Sequence, residues 1–159
     1  MATSGSARLT LVGDTDIHVV RVFDAPRHLV YWAVTEPELT KRWWNAKRGA
    51  VTVCEVDLRV GGAWKFVNRH PHGDAEFYGV YREITPPDRI VFTEIFAPFP
   101  DAESVVTAVF TEEHGQTRLT ATVLYPSAEV RDMVLKTGME KGAALSYDRL
   151  DEVASRLRG

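Results

Sequence analysis

The run Gly138-Met139-Glu140-Lys141-Gly142-Ala143-Ala144-Leu145-Ser146-Tyr147-Asp148-Arg149-Leu150-Asp151-Glu152-Val153-Ala154-Ser155-Arg156-Leu157 decides how the rest of the chain is arranged. Met139, Ala143, Tyr147, Leu150, Ala154 and Leu157 recur at steps of three and four, while Glu140, Asp148, Asp151, Glu152 and Arg156 fall mostly on the other side. That periodicity is one amphipathic helix, and its apolar stripe must be buried. Roughly 19 residues at about 1.5 Å each make a rod of about 30 Å, the span of a small domain. Its first half carries small residues, Gly142, Ala143, Ala144 and Ser146, and its second half carries Leu150, Val153 and Leu157. The helix is therefore expected to seal the core at its end and leave room at its start. Two readings of the small residues stay open: a strand that approaches closely, or a ligand cavity.

The rest of the chain is compatible with one such helix and one core. At 159 residues with 45% hydrophobic side chains, folding should bury about 70% of the unfolded surface in a single domain. Acidic residues number 22 and basic ones 19, a formal charge of −3, and no segment gathers the basic stripe that nucleic acid requires. The single cysteine, Cys54, excludes an intramolecular disulfide and a cysteine-based metal cluster. With no apolar run near 18 residues and no signal-like start, the protein is expected to be soluble and cytoplasmic, without membrane insertion. Met1 to Ser6 should be a floppy tail, and residues 1–12 as a whole are expected to be flexible.

Upstream of the helix the punctuation is that of an antiparallel sheet. Ile17 to Phe23 is rich in β-branched residues, and Asp24 before Ala25-Pro26 is expected to cap a helix ending near Thr35. Thr35 and Glu38 have capping-box spacing, which predicts a second short helix through Leu39 to Trp43-Trp44. Strands are then expected over Val51–Leu58, Gly62–His70, Glu76–Ile84, Arg89–Phe96, Ser104–Thr111 and Thr117–Tyr125, separated by turn residues such as Pro86-Pro87-Asp88 and His114-Gly115. The connections are too short for parallel crossovers. Ser127 is placed to cap a helix through Lys136, and Thr137-Gly138 breaks it before the long helix. A twisted sheet of about six to seven strands crossed by a straight rod traps a hollow on its concave face.

Several motifs occur in an order and spacing that are jointly specific: Ala25-Pro26, Thr35-Glu36-Pro37-Glu38-Leu39 with Trp43-Trp44, Arg59-Val60-Gly61-Gly62-Ala63-Trp64-Lys65-Phe66, Gly79-Val80-Tyr81-Arg82-Glu83-Ile84, Arg89-Ile90-Val91-Phe92-Thr93, Thr117-Arg118-Leu119-Thr120, and Gly138-Met139 with Gly142 and Leu150. Over nearly its whole length the chain resembles the START-like, or SRPBCC, superfamily, in the branch named after the activator of the heat-shock-protein ATPase (AHSA-like). The resemblance implies an α+β helix-grip fold over residues 13–159, with two short helices after the first strand and a curved antiparallel sheet wrapped around the C-terminal helix. It also implies a cavity, often for an apolar small molecule, and by the family name a chaperone partner and a link to the stress response. This chain has Gly142-Ala143 where many relatives have Gly-Trp, which should enlarge the cavity, and Glu94 where relatives often have tryptophan.

The candidate lining residues are Trp43, Trp44, Trp64, Phe66, Phe77, Tyr81, Phe92, Glu94, Ala143 and Tyr147. The rings could stack a flat ligand, or could simply be core. Alternation puts Glu94 on one face with Ile90, Phe92 and Phe96; the opposite register, Val91, Thr93 and Ile95, is also apolar, and the inward placement of Glu94 is the one adopted here. An inward carboxylate among aromatic rings should have a raised pKa. Gly61-Gly62 is expected to bend a strand rather than bind phosphate. His70 and His72 lack a third ligand at metal spacing, and no Ser-His-Asp or Cys-His set can be assembled. The first functional reading is binding of an apolar, aromatic small molecule, with no cofactor and no metal, by a monomer or homodimer. The alternative is a cavity enzyme of hydrolase or cyclase type, with Glu94 as acid or base and Tyr81 as its partner. A chaperone-associated regulator ranks third.

Overall fold

The computed structural model describes residues 7–44, 50–71, 73–137 and 139–158. Expectations attached to residues 1–6, His72 and Gly138, and to the side chains of His70 and Met139, lie outside the described residues.

Alternating residues of Asp16–Phe23 (β2) are buried, Ile17, Val19, Arg21 and Phe23, so one face of this strand belongs to the core. Two short helices follow, Arg27–Thr35 (α1) and Pro37–Thr40 (α2). They carry the chain from β2 to the far edge of the sheet, where Ala50–Val56 (β3) begins a meander through Ala63–His70 (β4), Gly73–Thr85 (β5), Arg89–Phe96 (β6), Ser104–Glu113 (β7) and Gln116–Leu124 (β8). The meander returns to β2, which pairs with β8 from Asp16↔Leu124 to Phe23↔Thr117. Among the described residues eight antiparallel strands form one sheet, in the order β1-β2-β8-β7-β6-β5-β4-β3. Ala128–Lys136 (α3) and Met139–Leu157 (α4) complete the chain.

The eighth strand corrects an expectation. Arg8–Val12 (β1), predicted to be part of a flexible tail, pairs with β2 from Arg8↔Val20 to Val12↔Asp16. Its residues are mostly exposed, so it shows little of the half-buried alternation that marks a strand; it is held chiefly by backbone pairing at the sheet edge. Two helix caps also differ from expectation. Pro26, not Asp24, precedes α1, because Asp24 is engaged by α4 and the residue after it: its N–H donates to Asp151 at 2.8 Å and its carboxylate accepts from Arg158 at 3.2 Å. Thr35 donates to the Tyr31 carbonyl at 2.9 Å and so closes α1, while the Glu36 carboxylate accepts from the N–H of Glu38 and caps α2. The Ser127 cap on α3 is as expected, with the hydroxyl accepting from Val130 N–H at 3.2 Å.

Gly61 and Gly62 lie in the turn before β4 and not within a strand. Gly61 adopts a left-handed φ of +85°, and the turn is tied to β5 in both directions, Gly61 N–H to Tyr81 O at 2.8 Å and Tyr81 N–H to Gly62 O at 2.9 Å. A tighter glycine is Gly79, whose backbone passes so close to β6 that a Cβ would stand 1.8 Å from the Thr93 carbonyl.

The two halves of α4 behave differently. Leu150, Val153 and Ala154 are buried in the main core with Phe23, Val30, Ala33, Phe110 and Leu119. Arg21 reinforces this docking from β2, paired with Asp148 and with Asp151 at 3.5 Å. The N-terminal half, with Gly142, Ala143, Ser146 and Tyr147, instead borders an internal cavity.

Candidate functional site

The cavity has a volume of about 950 Å³ and lies between the sheet and the first half of α4, with α3 and the α2 turn at its sides. Its volume is at the upper end for small-molecule sites. All ten residues expected to line it do so: Trp43, Trp44, Trp64, Phe66, Phe77, Tyr81, Phe92, Glu94, Ala143 and Tyr147. One wall is a continuous series of ring contacts that runs Phe99, Phe96, Phe77, Trp44, Phe66, Trp64, Phe92, Tyr81, with successive centroids 6.0, 4.9, 5.0, 5.0, 5.1, 5.7 and 6.3 Å apart. Phe99 and Phe96 are 48% and 37% exposed, whereas Trp64 and Tyr81 are buried. The series therefore leads from the surface into the core.

The polar ends of two rings are fixed away from the hollow. Trp43 donates its indole N–H to the Ala33 carbonyl at 2.9 Å, and Trp64 donates to the Thr93 carbonyl at 3.0 Å. With these donors satisfied by backbone, the rings can offer carbon surface to the cavity.

Glu94 breaks the apolar lining. On β6 it shares the cavity face with Ile90, Phe92 and Phe96, so the inward register is the one the sheet adopts. Its backbone carbonyl accepts from the Ser104 hydroxyl at 3.3 Å; among the described residues its carboxylate has no hydrogen-bond or ion-pair partner. Burial pushes its pKa up to about 7. Burial also raises Tyr147, to about 12, and the Tyr125 phenol further, and the Glu94 charge adds to both. Tyr125 and Tyr147 are thus the phenols that feel Glu94. Tyr81, expected as its partner, is perturbed first by burial and then by Cys54 and Tyr31, not by Glu94. The Cys54 thiol, pushed up to about 11 chiefly by burial, donates to the Pro37 carbonyl and stays protonated at neutral pH. Among the described residues no group of three or more His, Cys, Asp or Glu could hold a metal, and no helix is long and apolar enough to cross a membrane.

Sequence reasoning missed Phe96, Phe99, Tyr125 and the α3 residues Val130, Met133 and Val134, which also line the cavity. Phe96 continues the alternation of β6, and Val130, Met133 and Val134 have the i, i+3, i+4 spacing of a helical face. Tyr125 continues the alternation Leu119, Ala121, Val123 of the expected strand, whereas Phe99 lies outside the regular elements and carried no periodic signal.

A curved antiparallel sheet that closes on a C-terminal helix around a cavity is the helix-grip architecture of START-like proteins. The chain belongs to the family described as Activator of Hsp90 ATPase homolog 1-like protein, whose model matches residues 24–155. It is similar to a solved protein from Rhodobacter sphaeroides at 26% identity and a TM-score of 0.86, over 95% of this chain and 99% of that one. A protein from Nitrosomonas europaea is similar at 25% identity and a TM-score of 0.80, over 92% and 99% of the two chains. One from Mycobacterium smegmatis has 25% identity and a TM-score of 0.80, over 95% and 96%. None of the curated proteins matches the sequence.

Proposed function

We propose that the protein binds a small molecule with an apolar, aromatic body in the cavity between the sheet and α4. The observation that carries this reading is the unbroken series of rings from the exposed Phe99 to the buried Tyr81, a surface on which a flat molecule gains contact area at little entropic cost. Three of the four tryptophans, Trp43, Trp44 and Trp64, line the cavity, whereas Trp32 is 47% exposed elsewhere. Titration with 2-naphthylmethanol should therefore change tryptophan emission saturably, and Trp32→Phe should leave the saturable part intact. A response that is linear in ligand, or that vanishes in Trp32→Phe, overturns the reading.

One observation favours a second reading, acid–base catalysis in the same cavity. Glu94, with a pKa of about 7, is poised to take or give a proton at neutral pH. Its companions in that role are Tyr125 and Tyr147 rather than Tyr81. Any turnover of an aromatic ester or cyclisable substrate is expected to be lost in Glu94→Gln and retained in Tyr81→Phe.

A further inference from the structure

The cavity walls hold an asymmetry of charge. The chain has 19 Lys and Arg residues, yet none of them, and no His, is among the described residues that line the cavity; the formally charged ones are Asp74 and Glu94. Asp74 is at the rim, about half exposed and 3.8 Å from Arg69. Glu94 is inside, between Phe92 and Phe96 on the same strand face, and among the described residues its carboxylate has no partner. The titratable groups that face it are the phenols of Tyr125, just beyond β8, and Tyr147 on α4. Both phenols are uncharged at neutral pH, since burial raises them. From α3 the cavity receives the apolar Val130, Met133 and Val134, and from β7 Ser104 and Val106. Among the described residues, no element packed around Glu94 offers it a positive charge.

From this geometry we infer that the cavity selects ligands whose aromatic body carries a basic, positively charged nitrogen, with that nitrogen placed against Glu94. The inference rests on the proposal that the cavity is a ligand site and specifies the chemistry of its occupant. A carboxylate without a partner in an aromatic hollow is costly, and the empty protein relieves the cost by holding a proton there near neutral pH. An ammonium or protonated ring nitrogen supplies the missing charge. The faces of the surrounding rings attract the same cation through their quadrupoles. Among the described lining residues an anionic ligand would meet Glu94 inside and no cationic side chain, so the site discriminates by repulsion as well as by attraction. A neutral aromatic molecule would gain only its buried area.

The test is calorimetric titration of the full chain with three probes of matched ring size: 2-naphthylmethylamine, 2-naphthylmethanol and 2-naphthoate. At about pH 8, where Glu94 is largely ionised, the amine should bind about tenfold or more tighter than the alcohol, and the naphthoate weakest. Glu94→Gln should bring the amine to within about twofold of the alcohol, the ratio of the two affinities being the readout. A second readout needs no variant. The wild-type affinity for the amine should rise between about pH 6 and about pH 8, because a proton must leave Glu94 before the ion pair forms, while that for the alcohol stays flat or falls. If the alcohol binds as tightly as the amine, or if the preference for amine survives in Glu94→Gln, the inference falls and the cavity reading stands. An amine affinity that does not rise with pH has the same consequence. If none of the three probes binds, both fall.

Discussion

Glu94 is a destabilising residue that the fold retains. Its pKa is raised to about 7 in the folded chain from an ordinary value near 4.5, so between those values the native state holds a proton that the unfolded state has released. Stability therefore falls as pH rises through this window, and the full cost, on the order of 3 kcal/mol, applies above it. Glu94→Gln is expected to raise the urea midpoint at about pH 8 and to leave it nearly unchanged at about pH 4, where the carboxyl is already neutral. No rise at about pH 8 would mean that the carboxylate is solvated, and a fall there that it is paired. The two turn glycines differ in why they are glycine. Gly61 has open space around its missing Cβ and a φ of +85°, so Gly61→Ala should cost only the backbone penalty, about 1–2 kcal/mol. At Gly62 a Cβ would stand 2.0 Å from the Asp57 carbonyl, and Gly62→Ala must shift backbone. Denaturant melts should rank Gly62→Ala below Gly61→Ala; the reverse order would mean that this turn relaxes freely.

In α4, two chemistries are joined in one helix. Large residues from Leu150 onward are buried against α1 and β2, and the pairing of Arg21 with Asp148 and Asp151 holds that half in place. The small residues of the first half stand back from the sheet, so the helix is anchored at one end and roofs a hollow at the other. Ala143→Trp should place an indole in that hollow. Filling existing space costs little, at most about 1–3 kcal/mol where the ring must push its neighbours, while affinity for a naphthyl ligand should fall at least about tenfold. A grossly unfolded Ala143→Trp would instead mean that α4 and the sheet are in close contact there.

The whole molecule couples ligand and stability, because the cavity is built from elements at both ends of the sheet order: Val19 of β2 and Ala121 of β8 on one side, Phe66 of β4 and Phe77 of β5 on the other. A ligand that binds only the folded arrangement stabilises all of it. At about 100 times its dissociation constant, a naphthyl ligand contributes about 2.7 kcal/mol and should raise the thermal midpoint of a domain of this size by about 5–10 °C. A midpoint that does not move at saturating ligand would mean that the molecule has no preference for the folded chain, and the coupling falls.

Much of this arrangement was legible in the sequence because it rests on periodicity. Steps of three and four marked α4 and its two unlike halves, alternation put Glu94 beside Phe92 on the inner face of β6, and turn residues separated the strands from β3 to β8. Each of those signals is local, set by the geometry of one element. What lacked a local signal was decided by tertiary structure. Arg8–Val12 is a strand because β2 offers an edge with unpaired backbone groups, not because its own residues alternate. Asp24 does not cap α1 because Asp151 of α4 and Arg158 just beyond it, more than a hundred residues later, hold it. Tyr125 and Tyr147, rather than Tyr81, came to share the field of Glu94 because closure of the sheet on α4 brought together β6, α4 and the residue that follows β8. The chain's periodicities determined which faces are buried; the folded structure decided which buried groups meet, since that depends on contacts between residues far apart in sequence.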